Sequence, residues 1–404
     1  MAPEARAAAA RASAGPGPAW TVVETGTVAG VQVEVYRRAD GPELVLLPDP
    51  TGRALTVQAW LQRGWADDPP GARGQADAWA HHQWPATLAA PRQGWVGVTR
   101  DQSAAVAVGS PSDAEALVAW AGAPWSAPLA PPDGPHPDRD RAAASRRAVR
   151  RTWVEVLSSG KPPCAEPPPP LWVAAGALDR RQLLEAVGRL PLARGPACPT
   201  APPLARAGPR APVEAPDPSP GAAGPRARVA LVGWAVPGAE VQALAHLRAL
   251  ALLLAGPPQR LAPALPGAGL AGVEVLTEVG PRGPTLELFA ALGPTGTATQ
   301  AAAVARAQLT EIGRGATTGL QVEQARLAVR ADALRTWARL EGRGQLVVEQ
   351  ARPGEAGLVD RLRGYLEAAA EVEEPAVRAL ARQLAQRPPV VVVASPSPSG
   401  EDAL

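Results

Sequence analysis

Apolar and polar residues alternate through Val31-Gln32-Val33-Glu34-Val35-Tyr36, the period of a half-buried strand. Two more strand-like runs follow, Glu43-Leu44-Val45-Leu46-Leu47-Pro48 and Ala54-Leu55-Thr56-Val57-Gln58-Ala59-Trp60. Gly41-Pro42 and Asp49-Pro50-Thr51-Gly52 separate them as turns, so the ordered segment from Trp20 to Trp60 predicts a β-meander. Residues 74–90 read as largely helical, with Pro85 as a break. Gly94 to Val108 predicts a strand pair about Thr99-Arg100-Asp101, and Asp113 predicts a cap for a helix through Trp120. Proline dominates from Pro124 to Pro137. Asp138 to Leu157 is an Arg-rich helical stretch, Leu171-Trp172-Val173-Ala174-Ala175-Gly176 a buried strand, and Asp179 the cap of a helix to about Leu190.

Residues 197–226 are rich in proline and carry no apolar period, which predicts a linker. Beyond it, Val229 to Trp234 predicts a strand and Glu240 to Leu254 a long apolar helix. Gly272 to Glu278 and Thr285 to Leu292 predict strands, and Thr299 to Gly313 and Leu320 to Leu340 amphipathic helices. Leu358 to Ala370 and Pro375 to Gln386 predict further helices, and Pro389 to Ala394 a closing strand. A strand-rich start, then helices, then a late apolar strand occurs twice, so the expected class is α+β with an internal duplication. The expected organisation is a tail over 1–19, a first domain over 20–196, a linker over 197–226, a second domain over 227–396 and a tail over 397–404.

Composition narrows the function classes. The 404 residues include 48 Pro and 40 Gly, 46% hydrophobic residues and only 4% aromatic ones. Lys161 is the one lysine, which together with the Ala, Pro and Gly usage reads as coding bias. A net charge of +2 without like-charge blocks gives no footprint for nucleic acid or an anionic membrane. Cys164 and Cys198 form no Cys-x-x-Cys, and whether they pair stays open. No apolar run reaches the ~18 residues of a membrane helix, and the first twenty residues lack a secretory core. The default compartment is the cytoplasm, with the periplasm open.

Several motifs occur in an order that resembles the insulinase/pitrilysin-type inverted-zinc peptidases, including mitochondrial processing peptidase and its bacterial relatives. Trp60-x-x-x-Gly64-Trp65, Asp67-Asp68-Pro69-Pro70-Gly71 and Gly74-x-Ala76 match the approach to the family's zinc helix. Trp95-x-x-x-Thr99-Arg100-Asp101-Gln102 is similar to the strand-turn-strand beside its active site, and Leu171 to Asp179 to a later strand and turn. Gly233-Trp234-x-Val236-Pro237-Gly238, Gln259-Arg260-Leu261 and Gly269-Leu270-Ala271 look like its second domain. The resemblance covers residues 25–395 and implies two similar α/β-roll domains with antiparallel-rich sheets packed with helices, a half-clam that closes with another around a peptide.

It also implies a site, and here the chain departs from the pattern. The motif His-x-x-Glu-His reads Asp77-x-x-Ala80-His81: one ligand position holds Asp77, the general-base position Ala80, and only His81 remains. The best frame for the distal ligand puts Ser145 where Glu is expected. Using His82 instead pairs it with Ala78, which cannot ligate. Arg260 fits a substrate-holding Arg, whereas Gly272 stands where its Tyr partner is expected. His246 lies on an apolar helix, where a hydrogen-bonded core role is the simpler reading. The expectation is therefore an inactive homologue without zinc that pairs with an active family subunit to form a peptide-binding chamber. A weakly active metal-dependent peptidase built on Asp77 and His81, and a structural subunit of a larger complex, are the alternatives.

Overall fold

The computed structural model describes residues 19–39, 41–61, 64, 91–99, 102–126, 141–157, 170–190, 211–215, 228–236, 241–256, 260–279, 283–351 and 356–394. Within them β1 (Trp20–Val28), β2 (Val31–Arg38), β3 (Glu43–Pro48), β4 (Leu55–Leu61), β5 (Gln93–Val98), β6 (Ser103–Gly109) and β7 (Leu171–Gly176) form one sheet, ordered β1-β2-β3-β7-β4-β6-β5. A second contains β8 (Val213–Ala215), β9 (Val229–Ala235), β10 (Leu270–Glu278), β11 (Thr285–Leu292) and β12 (Val390–Ala394), ordered β10-β11-β9-β12-β8. The helices are α1 (Ala114–Ser126), α2 (Arg141–Leu157), α3 (Arg180–Gly188), α4 (Val241–Ala255), α5 (Ala298–Arg314), α6 (Gly319–Ala338), α7 (Leu340–Gln350), α8 (Leu358–Ala370) and α9 (Glu374–Gln386).

The predicted meander is corrected at its third step. β7 inserts between β3 and β4, parallel to β3 and antiparallel to β4. Its six residues are all buried because helices cover both sheet faces, which is why the run is continuously apolar. The segment expected as a linker is corrected too: residues 213–215 form β8, an edge strand parallel to β12. Asp113 ends a short 3₁₀ turn that begins after Ser110 and runs into α1, so the helix has no Asp cap. The last long helix breaks at Arg339, and α7 follows over a stretch that shows no clear apolar period.

Sheet order exposes the repeat. β3-β7-β4-β6-β5 and β8-β12-β9-β11-β10 share one order and one pattern of directions: β7 and β12 run parallel to their outer neighbours, and every other pair is antiparallel. The β1–β2 hairpin extends the first sheet only. Its two-residue turn, Ala29-Gly30, has positive φ at both positions (44° and 81°).

Capping fixes several helix starts. The Asp179 side chain accepts the Gln182 N–H at 3.1 Å, as its sequence position predicts. Thr297 with Gln300 and Thr318 with Gln321 form capping boxes on α5 and α6. The Thr-x-x-Gln spacing was present in the sequence and would have placed both starts.

Packing then crosses between the repeats. α1 and α3 cover one face of the first sheet, with Leu117, Leu183 and Val187 against Leu55, Val57 and Trp172. The opposite face is covered by helices of the second repeat: α7 lies on β4 and β7, and α8 on β1. In return α2 of the first repeat covers β8, β9 and β12 of the second sheet, where Trp153 and Val154 meet Leu231 and Val392. Polar contacts pin these exchanges. The Glu24 carboxylate accepts the N–H groups of Gly357, Leu358 and Val359 at 3.0, 3.0 and 2.7 Å, satisfying the start of α8 from β1. Gln58, fully buried, donates to the Glu341 carbonyl at 3.1 Å and accepts from Trp60 at 2.9 Å. Arg343 joins the carbonyl of Trp337 (2.9 Å) and the Asp49 carboxylate (3.3 Å). A hydrogen bond from Thr51 first, and Arg343 as well, hold the Asp49 carboxyl below its ordinary range.

A Cβ on Gly344 would lie 2.1 Å from Oε1 of Gln58, so this helix meets the sheet only as glycine. Gly344→Ala is expected to cost about 1–3 kcal/mol by overpacking, measured as a lowered urea midpoint; an unchanged midpoint would mean that α7 is not seated on β4. The chain has two tyrosines, and both are held protonated. Burial foremost, with the Glu34 carboxylate, pushes Tyr36 up to about 12; burial foremost does the same for Tyr365, also to about 12, against the opposing Arg248. Because both folded values are raised, their contribution to stability is present below the unfolded pKa of about 10 and is lost as pH rises toward 12. Tyrosinate absorbance should stay near zero at pH 10.5 in the folded protein and approach completion in urea.

Candidate functional site

β4 and β5 run parallel to each other on either side of β6, so the chain between them returns from one end of the sheet to the other. The second repeat makes the equivalent connection, β9 to β10, through α4. In chain order, the stretch from Gly74 to His82 occupies the place that α4 takes in the second repeat. Asp77, Ala80, His81 and His82 lie outside the described residues, as do His136, Asp138, Asp140, Cys164 and Cys198. Ser145 lies near the start of α2.

The candidate site is therefore bounded by β5 and the ends of that crossover. Among the described residues β5 is an edge strand, paired with β6 on one side. Two glycines shape it. Trp120 of α1 lies under Gly94, where a Cβ would approach it within 2.8 Å, and the Trp95 ring folds over Gly97 at the same distance. The ring of Trp95 stays 44% exposed on the edge strand. The turn that follows is closed by the Thr99 N–H on the Gln102 carbonyl, at 2.7 Å, and by the Gln102 N–H on the Thr99 hydroxyl, at 3.2 Å. Sequence reading quoted Trp95 as a motif residue but had no signal for its exposure, which depends on β5 ending the sheet.

The donor set decides how a zinc ion would fare. An inverted-zinc site needs two imidazoles, a carboxylate and a separate carboxylate base. The positions that the resemblance assigns to it hold Asp77, His81, Ser145 and Ala80, which offer one imidazole, one carboxylate and no base. These residues do not fit the group, and no catalytic step can be routed through it. Among the described residues, no group of three or more His, Cys, Asp or Glu side chains is placed to hold a metal.

Elsewhere the candidate residues are occupied structurally. Arg260 donates to the Ala316 carbonyl and to Oε1 of Gln321 (2.9 Å), tying the loop after α4 to the start of α6. Gly272 on β10 has open space where a side chain would stand. His246 of α4 is half buried; its Nε2 faces the Glu373 N–H at 3.5 Å, and burial lowers its pKa.

No protein-family model matches the sequence, and no curated protein matches it. Solved structures do. A protein described as an M16-like peptidase, from Alicyclobacillus acidocaldarius, aligns over 92% of this chain and 100% of its own at 12% identity, with a TM-score of 0.61. The fold is that of the M16-like peptidases. Pitrilysin aligns over 95% of this chain and 47% of its own at 13% identity, TM-score 0.52. A chain of complex III2 from Candida albicans, solved with Inz-5 bound, aligns over 95% of this chain and 97% of its own at 12% identity, TM-score 0.58. Among the described residues, no helix is long and apolar enough to cross a membrane.

Arg260→Ala should lower stability by about 1–3 kcal/mol, the range for losing hydrogen bonds to a charged group, read as a shift in the thermal midpoint. A midpoint unchanged within error would mean that Arg260 is free for another role.

Proposed function

We propose that this chain is a non-catalytic peptidase homologue that forms one wall of a peptide chamber and pairs with a zinc-bearing homologue. The observation that carries the proposal is the open β5 edge, set in an M16-like fold whose zinc-motif positions read Asp77-x-x-Ala80-His81. An extended peptide can add to such an edge through main-chain hydrogen bonds alone, with Trp95 offering an aromatic surface to its side chains. Strand addition needs no metal. Hydrolysis needs more: a positioned general base contributes about 10²–10⁴-fold by itself, and Ala80 cannot move a proton. The likeness to a chain of complex III2 favours a second reading, a structural subunit of a larger assembly. The two differ in whether an unfolded peptide binds to the chain or to its complex.

The wild-type protein, purified without chelator, is expected to hold less than about 0.1 zinc per chain by elemental analysis, because its donor set is incomplete. The triple variant Asp77→His/Ala80→Glu/Ser145→Glu is expected to gain about one zinc per chain and chelator-sensitive cleavage of an unfolded peptide. Stoichiometric zinc in the wild type would overturn the non-catalytic reading. Failure of the triple variant to bind metal while remaining folded would overturn the frame that places the site at Asp77.

A further inference from the structure

Helix α6 was expected to be amphipathic, and the structure corrects this. Its inward face carries Val322, Ala325, Val329, Ala333 and Trp337, all buried. The helix packs on α4, α7 and α8. Its outward face carries Leu320, Leu327 and Leu334, which are 69%, 50% and 47% exposed. Single exposed leucines are ordinary on protein surfaces. These three are spaced by seven, so they fall in one stripe along five turns, and Gln324, Ala331 and Ala338 lie between them at the alternating positions. That is the a/d seam of a helix built to lie against another helix. Ala331 and Ala338 at two of the three a positions let the partner approach closely, while leucine fills the d positions.

We propose that this seam pairs α6 with α6 of a second copy of the chain, antiparallel, about a two-fold axis near Leu327. The flanking charges select both partner and direction. Glu323 and Arg330 border the stripe on the same side, one heptad apart. In an antiparallel pair centred between them, Glu323 of each copy faces Arg330 of the other, and the symmetry makes the contact twice. A parallel pair would instead set Arg330 against Arg335 of the second copy, which disfavours it. Glu323 already accepts from Arg326 on its own helix at 2.6 Å, so the second arginine would extend an existing pair. Arg330 is exposed. On the other flank Ala328 meets its own symmetry mate, where a larger side chain would hold the helices apart. The seam uses one face of one helix, so the association is weak, and it is independent of the zinc-motif reading because it involves neither β5 nor residues 74–82.

Sedimentation equilibrium of the full chain tests this. The wild type is expected to dimerise with a Kd on the order of 10 µM. Leu327→Glu should weaken the dimer at least about tenfold. Glu323→Arg and Arg330→Glu should each weaken it, and their combination should restore it to within about threefold of wild type, since exchanging the charges rebuilds both cross-pairs. All three sites are at the surface, and an unchanged thermal midpoint will verify that each of the four variants is folded. A wild type that is monomeric at 200 µM, a dimer indifferent to Leu327→Glu, or single charge variants whose double fails to recover would each overturn the proposal. Retained peptide binding in the monomeric variants would leave the peptide-chamber reading standing, so the two can fail separately.

Discussion

Trp153 of α2 lies fully buried against the backbone of Gly233 on β9, so close that a Cβ there would approach the indole within 2.6 Å. That contact joins a helix of the first repeat to the sheet of the second. It has a counterpart in Gly344 of α7, set against Gln58 on the sheet of the first repeat. Neither sheet is sandwiched by its own helices alone, so each repeat exposes an apolar face that only the other can cover. The core built by α4 to α9 accordingly includes Val45, Leu47, Val173 and Ala175 of the first sheet. Ionic contacts follow the same exchange: Arg150 of α2 bonds Glu287 at 2.6 Å and also reaches Glu278, while Glu24 of β1 caps α8. Burial of Glu287 is tolerable because Arg150 and the Thr285 hydroxyl satisfy it.

This interdependence ties the two repeats into one unit. Among the described residues, those that hold the repeats together lie on α2, α7, α8 and the strands they cover. Among the described residues, the outer position of β5 follows from the same strand order, which the second repeat reproduces in β10.

Much of the architecture was legible along the chain. β7 was readable because a central strand covered on both faces must be apolar throughout, and α3 because Asp179 accepts the Gln182 N–H at its start. Other features were not. β8 contributes three residues within proline-rich chain, and its strand character comes only from pairing with β12. α7 has no clean apolar period because Arg343 and Gln350 are buried in it, Arg343 held by the Trp337 carbonyl and by Asp49 from the first repeat. For the candidate site, the residue types at 77, 80, 81 and 145 were read directly, whereas the exposure of Trp95 and the occupation of Arg260 required the neighbours they meet in space.

Local rules therefore determined which segments became helices and strands, since periodicity, caps and turn residues act within a few positions. The residue types at 77, 80, 81 and 145 are likewise fixed by the sequence, because side-chain chemistry does not depend on packing. Tertiary structure decided the order of the strands, the insertion of β7 between β3 and β4, and the exchange of helices between repeats. It also decided which side of α6 faces water. Leu320, Leu327 and Leu334 are as apolar as Val322 and Val329, and only the helices beneath α6 determine which stripe is buried and which is left for a partner.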